Sequence, residues 1–206
     1  MAVTFDLFGT LVDVETPPDP AEAVARELES RGVAVPDDWH AAYREDHVGA
    51  PDGAETPLPA HVARALASRD VDAPGNTPRH AVVAAFDPEV IRRDGALAAV
   101  RAAAEQGPVG ILSNCSVPEL VPRTLIRAGL RGEFDAVTTS IGCGWRKPHA
   151  EAFAEAAASL DCTAADLTHV GDDPRTDGGI EDCGGRFVDV TETPLSDLER
   201  LLEAQP

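Results

Sequence analysis

Lysine is almost missing from this chain: of its 17 basic residues, all but Lys147 are arginine. Bases are themselves outnumbered, with 36 Asp and Glu against them and a net charge of −19. That sign excludes a nucleic-acid partner, because phosphate contacts come from Lys and Arg. No apolar run approaches the roughly 18 residues a membrane span needs, so no membrane partner is expected. The opening segment, MAVTFDLFG, lacks a basic stretch followed by an apolar one, and the expectation is a cytoplasmic protein. Aromatic residues are only 4% of the chain. A core built mainly from Ala, Val and Leu suits helices packed closely over a sheet. CxxC pairs are absent too: Cys115, Cys143, Cys162 and Cys183 stand 28, 19 and 21 positions apart. A zinc site is therefore not expected, and reduced, mostly buried thiols are the default.

The acid is spread along the chain rather than gathered in a tail, so it reads as a solvated surface. Together with the near-absence of Lys it matches the composition of proteins from salt-loving organisms, where high ionic strength screens self-repulsion. At 206 residues the chain suits one core domain with a modest insertion.

Short apolar runs alternate with helical patterns, which predicts an α/β fold with a parallel sheet. Strands are expected at 2–7, 109–113, 136–140, 167–171 and 186–190. Helices are expected at 95–106, 117–129, 149–160, 177–183 and 196–203, the last opening on a Ser196/Glu199 capping box. The stretch 15–87 breaks the alternation. It holds four helical segments, at 21–31, 38–48, 60–69 and 79–86, divided by proline-rich breaks and without a convincing strand. The expected organisation is a core of residues 1–14 and 88–206 carrying an all-helical insertion of residues 15–87.

Ligands of an open parallel sheet bind beyond the carboxyl ends of its strands, and four polar segments fall there. In Val3-Thr4-Phe5-Asp6-Leu7-Phe8-Gly9-Thr10-Leu11, an apolar strand delivers Asp6 to a turn that Gly9 lets bend. A carboxylate there serves as nucleophile or metal ligand, or simply caps the turn. Ser113-Asn114 ends the second run and can donate hydrogen bonds to a substrate oxyanion. Lys147, in Gly144-Trp145-Arg146-Lys147-Pro148-His149, can neutralise a transferring phosphoryl group and hold Asp6 ionised. The fourth segment, His169-Val170-Gly171-Asp172-Asp173-Pro174-Arg175-Thr176-Asp177, crowds carboxylates that repel one another unless a cation sits among them. Mg2+, which prefers carboxylate and water oxygens, is the natural candidate.

The order and context of these four segments resemble the haloacid dehalogenase (HAD) superfamily of hydrolases, across FDLFGTL, ILSN, Lys147-Pro148 and VGDD with Asp177. The resemblance implies a Rossmann-like five-stranded core with the first strand central and a helical cap at 15–87 closing over the site. It implies Asp6 as nucleophile, Ser113 as donor to a substrate oxygen and Lys147 as charge partner of Asp6. Magnesium would be held by Asp6, the Phe8 backbone carbonyl and Asp172, with Asp173 and Asp177 in support. Thr10 would shape the nucleophile loop, and Thr10 and Asn114 would border the substrate. The implied reaction is hydrolysis of a small phosphorylated metabolite by a monomer or weak homodimer.

Two departures matter. Phosphatases of this superfamily carry an Asp two positions after the nucleophile as general acid, and here that position is Phe8. An aromatic there, and Asn114 after Ser113, resemble the dehalogenase branch, but Phe153 stands where a dehalogenase carries a Tyr. Yet dehalogenases are metal-free and lack the acidic fourth segment that this chain keeps. The alternatives are thus a 2-haloacid dehalogenase-like hydrolase, with Arg44 the candidate partner for a haloacid carboxylate, or an attenuated phospholigand-binding protein of the same fold. Cys115 and Cys143 fall beside the second and third segments. His149 is either a substitute acid or an exposed first-turn helix residue. Trp39, His40, Tyr43, Arg44 and His47 share one helical stretch whose cleft-facing members periodicity does not separate.

Overall fold

A computed structural model describes residues 1–203. The strands, in chain order, are β1 (Ala2–Phe5), β2 (Val12–Val14), β3 (Val90–Arg92), β4 (Val109–Ser113), β5 (Ala136–Thr139), β6 (Leu167–Gly171) and β7 (Arg186–Asp189). The helices are α1 (Pro20–Glu29), α2 (Trp39–Arg44), α3 (Leu58–Ala67), α4 (Thr77–Ala85), α5 (Ala96–Gln106), α6 (Leu120–Arg127), α7 (Ser140–Cys143), α8 (Ala150–Ala158) and α9 (Leu198–Glu203). Five strands form a parallel sheet ordered β5-β4-β1-β6-β7, with β1 at its centre. Phe5 pairs with Ile111 on one side and Val170 on the other.

Every residue of β1, β4 and β6 is buried. Strands covered on both faces lose the in-out alternation of a half-exposed sheet, and these are buried throughout even at Thr4, Thr168 and His169. Alternate residues serve different layers. Val3, Phe5, Ile111 and Val170 join one core with α5 and the insertion helices, while Ala2, Leu112 and Leu167 join a second with α8 and Ile180. The alanines of α8 (Ala152, Ala156 and Ala157) bring that helix close to the sheet.

The insertion helices lie between β2 and β3. Helix α1 packs on α2 and α4, and α3 on α2 and α4. Asp19 caps α1 by accepting from the Glu22 amide at 3.0 Å, and Pro20 opens the helix where no amide donor is required. Its apolar stripe, Ala21, Val24, Ala25 and Leu28, faces inward. No helix among the described residues is long and apolar enough to cross a membrane.

Several boundaries differ from expectation. Strand β1 stops at Phe5, because the amides of Leu11 and Val12 fold back onto the Leu7 carbonyl, both at 3.0 Å. The antiparallel ribbon of β2 and β3 was not expected: three residues per strand show no period, and the partners lie far apart in sequence. Helix α2 ends at Arg44 rather than 48, since the Asp46 carboxylate turns the chain by accepting from the amides of Val48 and Gly49 at 2.9 and 3.0 Å. The expected helix at 177–183 is a 3-10 turn. Another such turn, Leu195–Asp197, precedes α9, so Ser196 lies inside it rather than at the cap of an α-helix.

Candidate active site

Asp6 directly follows β1, and its amide donates to the Val170 carbonyl of β6 at 2.8 Å. The residue is 8% exposed. Its carboxyl is pushed up to about 6, chiefly by burial and further by the charges of Asp177 and Asp172, against the pull of Lys147. Lys147 lies across from it, itself buried. The Nζ donates to Asp6 Oδ1 at 2.7 Å, Asp177 Oδ1 at 2.6 Å and the Leu112 carbonyl at 2.8 Å. These three bonds use every donor an ammonium has. Burial alone would lower its pKa, but Asp6 and Asp177 outweigh burial and hold the ammonium charged.

Asp177 is correspondingly committed. Its Oδ1 also faces His169 Nε2 at 3.1 Å, and Oδ2 accepts from the Asp173 amide at 3.1 Å. Burial opposes its charge, yet the His169 bond and Lys147 together hold the carboxyl well below the usual range. His169 is fully buried in β6, and its Nδ1 lies 2.9 Å from Thr4 Oγ1. The tautomer with hydrogen on Nε2 satisfies both contacts: Nε2–H donates to Asp177, and Thr4 donates to Nδ1. Burial and the neighbouring Lys147 push the imidazole down to about 4, so it is neutral.

Asp172 faces the nucleophile loop. Thr10 Oγ1 donates to its Oδ1 at 2.7 Å. Gly9 adopts φ +85°, and a Cβ built there would stand 2.5 Å from Asp172 Oδ2. Only glycine permits both that turn and that approach. Asp173 instead turns outward to Arg175, both of whose guanidinium bonds to it measure 3.0 Å. Among the described residues no group of three or more His, Cys, Asp or Glu side chains is arranged to hold a metal. The four-carboxylate cluster expected from the sequence does not assemble, because Lys147 takes Asp177 and Arg175 takes Asp173.

Ser113 ends β4 fully buried, and its Oγ has no hydrogen-bond partner among the described residues. Asn114 does not reach outward toward a substrate: its Oδ1 accepts from the Lys147 amide at 2.8 Å and its Nδ2 donates to the Lys147 carbonyl at 2.9 Å. It fixes the backbone that carries the ammonium. Phe8 packs its half-buried ring against the larger core. Phe153 is buried edge-on to His169, with ring centroids 5.6 Å apart.

The other candidates are tied down locally. The Cys115 thiol bonds the Val117 carbonyl and is pushed up by burial, which leaves it poorly reactive. Cys143 bonds the Trp145 carbonyl. His149 caps α8 and stacks on Trp145, with centroids 4.1 Å apart. In the insertion Trp39 donates to the Ala21 carbonyl, His40 pairs with Asp19 and His47 bonds the Ala42 carbonyl. Tyr43 meets His61 edge-on, and Arg44 is exposed.

Comparison with known proteins decides the family. A family model described as haloacid dehalogenase-like hydrolase matches residues 1–179. The chain belongs to that family. This HAD-like hydrolase matches no curated protein significantly. Its fold is shared with a HAD phosphatase from Thermococcus onnurineus, at 18% identity and TM-score 0.60 over 99% of this chain and 98% of the other. It is shared equally with the L-2-haloacid dehalogenase of Xanthobacter autotrophicus, solved with chloropropionic acid covalently bound, at 18% identity and TM-score 0.61 over 100% and 99%. A Bacillus subtilis HAD-hydrolase bound to magnesium aligns at 18% identity and TM-score 0.57 over 98% and 97%. The HAD-like chain is thus a hydrolase of small molecules, on a fold that serves both phosphatases and dehalogenases.

Two functional groupings escaped the sequence reading. His169 and Thr4 fall within the fourth and first segments but were given no role there, although a His inside a fully buried strand signals a polar network. Glu55, buried against Ser140 and Arg146, left no signal at all in its proline-rich loop.

Proposed function

We propose that this HAD-like hydrolase is a magnesium-dependent phosphohydrolase that attacks through Asp6. The observation that carries the reading is the charge arrangement around Asp6: Asp6 and Asp177 share the single ammonium of Lys147, and the charge of Asp172 acts on Asp6 as well. Such an excess of anion around one buried ammonium invites a divalent cation. The donors suit magnesium, which takes one or two carboxylates and keeps several waters. Asp6, Asp172 and the Phe8 carbonyl would hold it, and when bound it would neutralise charge on a phosphoryl oxygen. The solved relative bound to magnesium is consistent with this choice.

The remaining chemistry belongs to the chain. Lys147 occupies Asp6 Oδ1 and leaves Oδ2 to attack phosphorus, forming an acyl phosphate as the leaving-group oxygen departs with the bonding electrons. Ser113 Oγ–H donates to an oxygen of the group in transfer. Water then cleaves the acyl phosphate and restores Asp6. Phe8 supplies no proton to the departing oxygen, which favours acyl and aryl phosphates over alkyl esters. Residues 15–87 act as a cap that shapes the pocket.

A phosphate-release panel with and without magnesium tests the reading, with Asp6→Asn as the inactive control. Phe8→Asp is expected to raise turnover of alkyl phosphates, since a positioned general acid contributes about 10²–10⁴-fold. If wild type and Phe8→Asp are both inert across the panel, the phosphatase reading fails. Phe8 is also the observation that favours a second reading, hydrolysis of a 2-halo acid, where a departing halide needs no proton. Halide release in EDTA would establish that reaction instead.

A further inference from the structure

The loop between α2 and α3 is stitched to the two loops that carry Ser113 and Lys147. The Glu55 amide donates to the Gly144 carbonyl and the Arg146 amide to the Gly53 carbonyl, both at 2.8 Å. Ala54 and Trp145 form an antiparallel bridge between them. Further along, the Leu58 amide donates to the Ser116 carbonyl at 2.9 Å. Gly53 lies so close to His149 that a Cβ there would stand 2.7 Å from the ring.

The Glu55 carboxylate sits at the centre of this seam with 2% of its side chain exposed. It accepts from Ser140 Oγ and pairs with the Arg146 guanidinium at 3.1 Å. Ser140 is fully buried, and its Oγ also accepts from the Cys115 amide at 2.8 Å. Cys115 follows Ser113-Asn114 directly, and Arg146 precedes Lys147 directly. One carboxylate from the helical insertion therefore bonds Arg146 directly and reaches the Cys115 amide through Ser140 Oγ, and Asn114 joins the two loops a second time through the Lys147 backbone. A buried carboxylate is tolerated only with its partners in place. Docking of the Glu55 loop and the geometry of the two catalytic loops are thus energetically coupled.

We propose that Glu55 is a positioning residue: docked between Ser140 and Arg146, it carries the insertion's closure into the placement of Ser113 and Lys147. The kinetic arm of the test rests on the phosphohydrolase reading; the exchange arm does not. Hydrogen exchange of the full chain is followed in wild type, Glu55→Gln and Ser140→Ala. Turnover is measured on whichever phosphate the panel identifies. Glu55→Gln keeps the side chain's shape and removes its charge. The expected result is at least tenfold faster exchange at Glu55, Arg146 and Cys115, unchanged protection in β1 and β6, and a kcat lowered tenfold or more with KM within threefold. Ser140→Ala combined with Glu55→Gln is expected to cost little beyond either change alone, because both break one seam.

Unchanged exchange in Glu55→Gln overturns the proposal, since the carboxylate then does not hold the seam. Faster exchange with unchanged kcat overturns it too, since the seam then does not position the catalytic loops. Loss of β1 and β6 protection would show a merely structural role and overturn it likewise. Should no phosphate be turned over by wild type, the phosphohydrolase reading falls, while the exchange measurements still decide whether Glu55 couples the loops.

Discussion

Lys147 concentrates more of the site's electrostatics than any other side chain, because three buried acceptors depend on its one ammonium. Replacing it with Met leaves Asp6 and Asp177 facing each other without a cation. Breaking a buried pair by removing one partner costs about 3–5 kcal/mol. Lys147→Met is therefore expected to lower the melting temperature by several degrees at neutral pH and to abolish turnover. A Lys147→Met protein as stable and active as wild type would contradict this arrangement of charges. The neighbouring titrations have opposite signs. Asp6 is held at about 6 against an ordinary 3.8, so the fold carries a penalty that is present above pH 6 and relieved as pH falls through that value toward 3.8. His169 is held at about 4 against 6.5, so its contribution is present above pH 6.5 and is lost as pH falls toward 4. In metal-free buffer the two largely offset each other between pH 6.5 and 4. Asp6→Asn removes one of them: it is expected to melt higher than wild type at pH 7.5, yet to lose stability more steeply on acidification. Thermal melts at half-unit pH steps check both signs.

At the scale of elements, the legible parts were those whose surroundings repeat a rule. Strands β4 and β6 fall at the expected residues because burial on both faces leaves short, mainly uncharged segments bounded by turns. The ribbon of β2 and β3 escaped, since its pairing joins residues on either side of the insertion and no local pattern announces such a meeting. The turn after β1 was legible in kind, through Gly9, but not in its tightness against Asp172. That tightness makes a prediction. Gly9→Ala must adopt a left-handed backbone, at about 1–2 kcal/mol, and must also displace a carboxylate that would lie 2.5 Å from the new methyl. Expected are a lower melting temperature and weaker magnesium stimulation, with the Thr10–Asp172 bond lost. Melts combined with a magnesium titration of turnover decide it: an unaltered magnesium response would separate Asp172 from the metal.

Across the whole molecule, the net charge of −19 on 206 residues dominates. Among the described residues several ion pairs are exposed on both sides, such as Arg26–Glu22 and Arg79–Glu119, and pairs of that kind contribute little. Self-repulsion is therefore not offset locally, and screening must come from the solvent. The Debye length shortens from about 10 Å at 0.1 M salt to about 3 Å at 1 M. The melting temperature is expected to rise as KCl goes from 0.1 to 2 M, instead of falling as surface pairs weaken. A flat or falling curve would remove the salt-adapted reading.

The amino-acid sequence by itself determined the periods and the inventory: where the five parallel strands and most of the helices fall, that a helical stretch separates the first strand from the next of the sheet, and which acids and bases stand at strand ends. Those follow from local rules, in which residue type and spacing suffice. Tertiary structure decided the partnerships. Asp173 and Asp177 look alike in the sequence, both acids of one loop. In the fold one turns to Arg175 and the other lies under Lys147, so the acidic cluster is divided among cations before any metal is considered. Asn114, adjacent to Ser113, proved to grip the backbone of Lys147 33 residues away. Charge and hydrogen-bonding capacity are properties of single residues, but their satisfaction depends on distances that only the folded chain sets.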